Sequence, residues 1–469
     1  MTNLPGERTL SGRPTKPRSN ALTRCLGVAG ALFLTLSSIS PASSVFAIVP
    51  GVIAQAGTGA FLSMAAAALL SVPIAYVYAE LASAFPIAGG EYCMVGRTLG
   101  KSVGFATLGM TIFSSVLSPA ALALGAGAYI DVVFPGLNGT LVAIGIIVTM
   151  TILAILRVRT NAWITGTFLF LELIALAVLV ALGLWNIKRS LFEITTHPVW
   201  LRADALQVTP LAMMGLATVV AIFAYDGSGS VIYFAEEMQD ARKRIARTIF
   251  WALGITVLAE LLPVTAVLLG APDVKALMVA SNPFSEFVNS VGGHTLNLLV
   301  SAGVALAIVN AVLATILQNA RFFYSTGRDT TWQPLINSAL STTHVRFNSP
   351  WIATLASGAG AVLACFLGLN LILVLTGTGI AIVYAAICVA VISGRHFGTS
   401  DQAAYRMPLY PLAPIIALVA LGYIFYTSAL DPISGRPGLL ASGAVILLSL
   451  TYYWLVLRKN GGWMLCEPE

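Results

Sequence analysis

Two acidic residues stand inside long apolar stretches of this sequence. Glu172 lies in Leu169-Phe170-Leu171-Glu172-Leu173-Ile174, and Asp226 in Tyr225-Asp226-Gly227-Ser228-Gly229. A carboxylate among aliphatic side chains is costly unless a cation, a proton or water compensates it. Each acid is therefore placed to do chemistry. Glu172 can gain and lose a proton, which makes it a candidate proton carrier. Asp226 can pair with a substrate amine, or cap a helix that restarts beside it. Glu260 is a third acid of this kind, on a stretch that reads as a packing face. No other group offers chemistry of this sort. The five cysteines are scattered with no CxxC, and the chain has four histidines, so no metal or disulfide framework and no cofactor is expected. No Ser/His arrangement or Asp pair suggests an intramembrane enzyme.

The elements that must hold these acids are membrane spans. The chain has 469 residues, 58% hydrophobic and 9% charged, where soluble domains carry roughly a quarter charged residues. Apolar stretches of the length a bilayer requires, about 20 residues each, recur at 26–56, 58–84, 101–131, 139–157, 161–185, 209–235, 246–270, 292–320, 350–368, 370–393, 409–427 and 437–457. The expected fold is an all-α membrane protein of about twelve transmembrane helices. With the N-terminus inside, 20 of the 25 Lys and Arg residues fall on the cytoplasmic side and five outside, as the positive-inside rule requires. This distribution accounts for the net charge of +6 without nucleic acid. Residues 1–24 read as a disordered cytoplasmic tail, 25–458 as one transmembrane domain and 459–469 as a second cytoplasmic tail. The basic run Arg242-Lys243-Arg244 and Arg247 can meet anionic lipid headgroups, or simply mark the inner side.

Two spans read as broken. In the first, Pro41 removes an N–H and crowds the preceding turn, while Ser37, Ser38, Ser40, Ser43 and Ser44 compete for freed backbone groups. In the sixth, Asp226, Gly227 and Gly229 weaken the helix at mid-membrane. Broken backbone is tolerated in lipid only where protein or a water-filled cavity covers it. Spans one and six are five apart, the register of two inverted repeats at about 26–185 and 209–393, followed by two extra helices at 409–457. Paired broken helices point to a substrate site. Half-helix N–H groups suit a carboxylate, and half-helix carbonyls suit an ammonium.

Four landmarks carry a family resemblance: Glu80-Leu81 with Pro86-Ile87-Ala88-Gly89-Gly90-Glu91-Tyr92; Gly96 to Gly100; Glu236-Glu237 with Arg242 to Arg247; and Arg321-Phe322-Phe323-Tyr324 with Gly327-Arg328-Asp329. With them the chain resembles the amino acid–polyamine–organocation permeases over about residues 20–460. The resemblance implies a LeuT-like fold and a secondary transporter of amino acids or related amines in the plasma (inner) membrane. It places the substrate between the two breaks, at Ser40, Ala42, Ser43, Ser44, Phe46, Ala224, Tyr225, Asp226, Gly227 and Gly229. Where the family usually has Gly-x-Gly in span one, this chain has Ala42-Ser43-Ser44. Where several members carry a Lys in span five, it has Glu172, the expected proton-coupling residue. Span eight offers Ser301, Asn310 and Thr315 with no adjacent hydroxyl pair, which argues against sodium. The expected partners are therefore a small amino acid or amine, protons and lipid. The alternatives are an obligate exchanger, or a transporter-like sensor or channel.

Overall fold

Pro41 decides the shape of the first span. The residue before a proline is pushed out of the right-handed helical region, and Ser40 takes φ 50°, ψ 81°. Helix α1 (Val28–Ile39) stops there. The chain restarts with Pro41 in the first helical position, where its missing N–H matters least. It passes through a π-helical turn at Ser44–Ile48 before α2 (Val49–Ala56).

The computed structural model describes residues 22–133, 136–202, 205–280, 282–432, 435–458 and 463–465. After α2 come α3 (Ala60–Ala84), α4 (Glu91–Thr98), α5 (Lys101–Val133), α6 (Gly139–Ala154), α7 (Val158–Trp185), α8 (Leu211–Ala224), α9 (Ala241–Gly270), α10 (Pro283–Arg328), α11 (Trp351–Ala364), α12 (Leu369–His396), α13 (Leu412–Leu430) and α14 (Gly435–Tyr452). Among the described residues, nine helical stretches are long and apolar enough to cross a membrane. The first, Val28–Ala84, runs through the first two expected spans. The shorter apolar helices Gly139–Ala154 and Trp351–Leu367 fall where the fourth and ninth are expected. Large apolar side chains such as Leu141, Phe170, Trp185 and Leu447 are exposed, as a lipid-facing surface needs. The chain is an all-α integral membrane protein.

The helices interlock around the broken spans. α9 packs on α3 and α7, α10 on α5 and α7, and α1 against α7 and α10. Three features differ from the sequence expectation. α10 extends well beyond 292–320 and is interrupted at Gly293 (φ 82°). A small hairpin, β1 (Val199–Arg202) paired antiparallel with β2 (Ala205–Val208), lies in the connection between spans five and six. Thr58 Oγ1 accepts from the Val199 N–H at 2.8 Å and ties the hairpin to the bundle. Beyond the sixth break the chain winds as a 3-10 helix over Ser228–Glu237 instead of an α-helix. Such a run is long for 3-10 geometry, which marks a strained segment. Of the tails, residues 1–21 lie outside the described residues. At the other end Trp463 is fully buried, its Nε1 donating to Thr331 Oγ1 at 3.2 Å and its ring centroid 5.5 Å from that of Tyr92.

Candidate functional site: two broken helices and an acidic cavity

The break in the first span is held by Glu172. This residue is fully buried on α7, and its Oε1 accepts from the Ala42 N–H at 2.6 Å and the Ser40 hydroxyl at 3.0 Å. Ser43 Oγ lies 2.7 Å from Ser40 Oγ and extends the chain of hydroxyls. The carboxylate thus satisfies a backbone N–H that the break leaves without a helical partner. Glu172 Oε2 has no hydrogen-bond partner. Glu260, also fully buried, lies near Glu172 and the Ser44 hydroxyl, and by geometry neither of its oxygens is hydrogen-bonded among the described residues. The nearby Ser44 hydroxyl donates instead to the Ala224 carbonyl at 3.1 Å, at the end of α8.

The sixth-span break lies directly against the first. Ser38 Oγ is 3.0 Å from Ser230 Oγ. Gly227 adopts φ 105°, and a Cβ there would stand 2.9 Å from Ile39. Both facts require glycine at this position. Gly227→Ala is expected to destabilise the protein by about 1–3 kcal/mol, read as a lowered melting temperature in detergent; an unchanged value would show that the two breaks can separate freely. Tyr225 is buried beside the break, and its hydroxyl has no hydrogen-bond partner among the described residues.

A cavity of about 120 Å³ opens on one side of the sixth break. It is lined by two acids, Glu91 and Asp226, by hydroxyl side chains of α5, and by Tyr78, Tyr233 and Tyr384, with no Lys, Arg or His. Tyr78 donates to Glu91 Oε1 at 2.8 Å, and Tyr233 donates to Glu91 Oε2. Gly90, at φ 69°, turns the chain into α4 with its α-carbon against the Tyr233 ring, which no side chain would permit. The Asp226 carboxyl lies beside the Gly227 amide.

The expected site residues fall into two groups. Asp226, Gly227 and Gly229 line the cavity. Ser40 and Ala42 instead meet Glu172, Ser43 meets Ser40, and Ser44 meets Ala224. Phe46 is in neither group. It packs 5.3 Å from Phe284 and 6.0 Å from Tyr129, whose hydroxyl donates to the Phe46 carbonyl at 2.6 Å. Glu91 is the residue that sequence reasoning passed over. It was visible only as part of a motif, although an acid directly after two glycines at a helix start was a usable signal.

The sequence landmarks converge at the end of the bundle where the chain enters α1. Arg328 Nη1 donates to both carboxylate oxygens of Glu236 at 2.7 Å, and Glu236 also accepts from the Ala88 N–H at 3.0 Å. Arg321 pairs with Glu237 at 2.8 Å, both side chains being buried. The Glu237 carbonyl accepts from the Cys25 and Leu26 N–H groups at 2.9 and 2.8 Å. Tyr92 donates to Asp329 at 3.0 Å. Burial pushes the Asp329 carboxyl above its usual range, against the lowering influence of Arg328. Arg395 grips Glu80 at 2.6 Å through two nitrogens. These ion pairs lie at one end of the first span, and the Phe46–Tyr129–Phe284 cluster lies past its break.

Comparison with known proteins places this architecture. The family described as amino acid permease matches residues 26–456. An uncharacterized transporter of Mycobacterium tuberculosis is 30% identical over 442 residues, covering 93% of this chain and 92% of its own. The methylthioribose transporter of Bacillus subtilis is 24% identical over 487 residues, 98% of this chain and 99% of its own. The serine/threonine exchanger SteT of the same organism is 24% identical over 459 residues, 94% and 98%. The chain belongs to the amino acid permease family of the amino acid–polyamine–organocation superfamily, and is a membrane transporter of amino acids or related compounds, not an enzyme.

Proposed function

We propose that the protein moves an amino acid or related amine across the plasma membrane by alternating access, driven by protons, with both termini cytoplasmic. The observation that carries this reading is the bond from Glu172 to the first-span break. A charged Glu172 holds the Ala42 N–H and the Ser40 hydroxyl through charge-assisted hydrogen bonds, which are roughly twice as strong as neutral ones. Protonation weakens both bonds and lets the break move against α7. Substrate binding at the sixth break and proton binding at Glu172 then bias the same pair of touching segments, linked through Ser38–Ser230 and Ser44–Ala224. The ion pairs at one end and the Phe46 cluster at the other are the two gates, and the two halves of the bundle, built as inverted repeats, rock about the breaks. The acids facing the sixth break favour a substrate with an amine.

The relatives' names span methylthioribose, serine/threonine exchange and branched-chain amino acids, so the test panel must be broad. Radiolabelled amino acids and amines are offered to proteoliposomes with and without an inward proton gradient. Accumulation that requires the gradient supports the reading. Uptake that occurs only with substrate preloaded inside, independent of the gradient, points to the exchanger that one relative's name suggests.

A further inference from the structure

Two carboxyl groups, those of Glu91 and Asp226, face the cavity beside the sixth break, and among the described residues no cationic side chain lines it with them. Glu91 is held by the hydroxyls of Tyr78 and Tyr233, which orient the carboxylate without cancelling its charge. Asp226 makes no ion pair among the described residues, and its carboxyl lies beside the Gly227 amide. Two further polar groups face the same space: Tyr384 is more than nine-tenths buried and lines the cavity with no hydrogen bond from its hydroxyl among the described residues, and the buried Ser114 hydroxyl, also on the lining, is likewise unpartnered among them. The Tyr384 ring packs edge-on against that of Tyr78, with centroids 5.7 Å apart. Two carboxyl groups, hydroxyl oxygens and aromatic walls together match an ammonium group, which donates hydrogen bonds and is attracted to ring faces.

The same surroundings are hostile to a carboxylate. A zwitterionic substrate would bring a carboxylate toward two other carboxyl groups, with no Lys, Arg or His among the described lining residues to receive it. The backbone N–H at the first-span break, the other natural place for a substrate carboxylate, already donates to Glu172 at 2.6 Å. We propose that Glu91 and Asp226 form a cation subsite, and that its ligand is an organic ammonium ion without a carboxylate of its own, an aliphatic amine or diamine. The protein's own Glu172 stands where a substrate carboxylate would sit. The inference rests on the transport reading above and narrows its substrate to the amine.

The test uses the purified full-length chain in detergent and matched pairs of ligands that differ only by the carboxylate: putrescine against ornithine, and isoamylamine against leucine. Binding is measured directly, with sodium and potassium as competitors in separate arms. The expected result is that each amine binds about tenfold or more tightly than its parent amino acid, since a charge-assisted contact is gained and a like-charge contact avoided. Asp226→Asn and Glu91→Gln, which keep shape and the tyrosine contacts, should each weaken the amine by about tenfold and change the amino acid much less. Equal or tighter binding of the parent amino acids overturns the proposal. So does wild-type amine affinity in both variants, shown to be monodisperse with unchanged melting temperature. Displacement by alkali cations of a site that amines do not enter overturns it in favour of an inorganic ion. Transport of amino acids but not amines in proteoliposomes sinks this subsite and leaves the carrier reading intact. Amine binding with no transport of any panel member does the reverse.

Discussion

Glu172→Gln is expected to abolish proton-driven accumulation while leaving substrate exchange in place. Gln has an oxygen where Glu172 Oε1 accepts from the Ala42 N–H and the Ser40 hydroxyl, so the break in the first span keeps its geometry. What is lost is the ability to change charge. With one proton per cycle, an inward gradient of about one pH unit supports about tenfold accumulation; the variant should reach only equilibration, a ratio of about one. Counterflow of preloaded substrate should persist. Glu172→Ala is the less informative change, because it strands a buried N–H and a hydroxyl and costs about 1–3 kcal/mol on that ground alone. Accumulation by Glu172→Gln equal to wild type would remove Glu172 from coupling and return it to a purely architectural part. Glu260, which lies near Glu172 and has neither oxygen hydrogen-bonded among the described residues, would then be the next residue to replace.

Arg321→Ala is expected to cost about 3–5 kcal/mol, the largest stability loss that the ion pairs predict. Arg321 is fully buried and contacts Glu237 through two nitrogens, at 2.8 and 3.2 Å, while a third donates to the Leu317 carbonyl at 2.9 Å. Its guanidinium also lies 5.4 Å from the Phe234 ring centroid. Removing it leaves the Glu237 carboxylate buried without a counter-charge. The damage should spread to the chain entering α1, because the Glu237 backbone carbonyl anchors Cys25 and Leu26. Thermal denaturation in detergent reads the effect. The double change Arg321→Met with Glu237→Gln should recover much of the loss, since a neutral pair of similar volume leaves no buried charge. A single variant as stable as wild type would mean that water reaches this pair. By contrast the exposed Arg406–Asp401 contact at 2.8 Å, with both side chains more than half exposed, should matter little.

The breaks were legible in the sequence because their causes are local. Pro41 ends a helix whatever surrounds it, and Gly227 permits a backbone turn that other residues resist. The membrane class followed from composition, and the two acids stood out against apolar neighbours. What could not be read was the pairing of distant residues. Ala42 and Glu172 are 130 positions apart, and nothing in either stretch announces the other. Glu237 and Arg321 were visible as landmarks, but their mutual contact across 84 positions was not. Glu91 was hidden for a different reason: its neighbours are glycines and a tyrosine, so it lacked the apolar contrast that exposed Glu172 and Asp226. The 3-10 course of Ser228–Glu237 also escaped, because a glycine- and serine-containing run says that an α-helix is weak without saying what replaces it. Phe46 was expected beside substrate from its place in the chain; that Tyr129 and Phe284 approach it from other helices could not be read from the sequence.

The most direct measurement is of the proton itself. Proteoliposomes containing the wild-type protein are loaded with a pH-sensitive dye and clamped at zero potential with potassium and valinomycin. Members of the matched amine and amino acid panel are then added outside. A transported substrate is expected to acidify the interior, saturably with its concentration, and Glu172→Gln to remove this signal while isotope exchange continues. Free permeation of a neutral amine would make the interior alkaline, so the sign alone separates the carrier from a leak. Transport of labelled substrate with no accompanying acidification would contradict proton coupling.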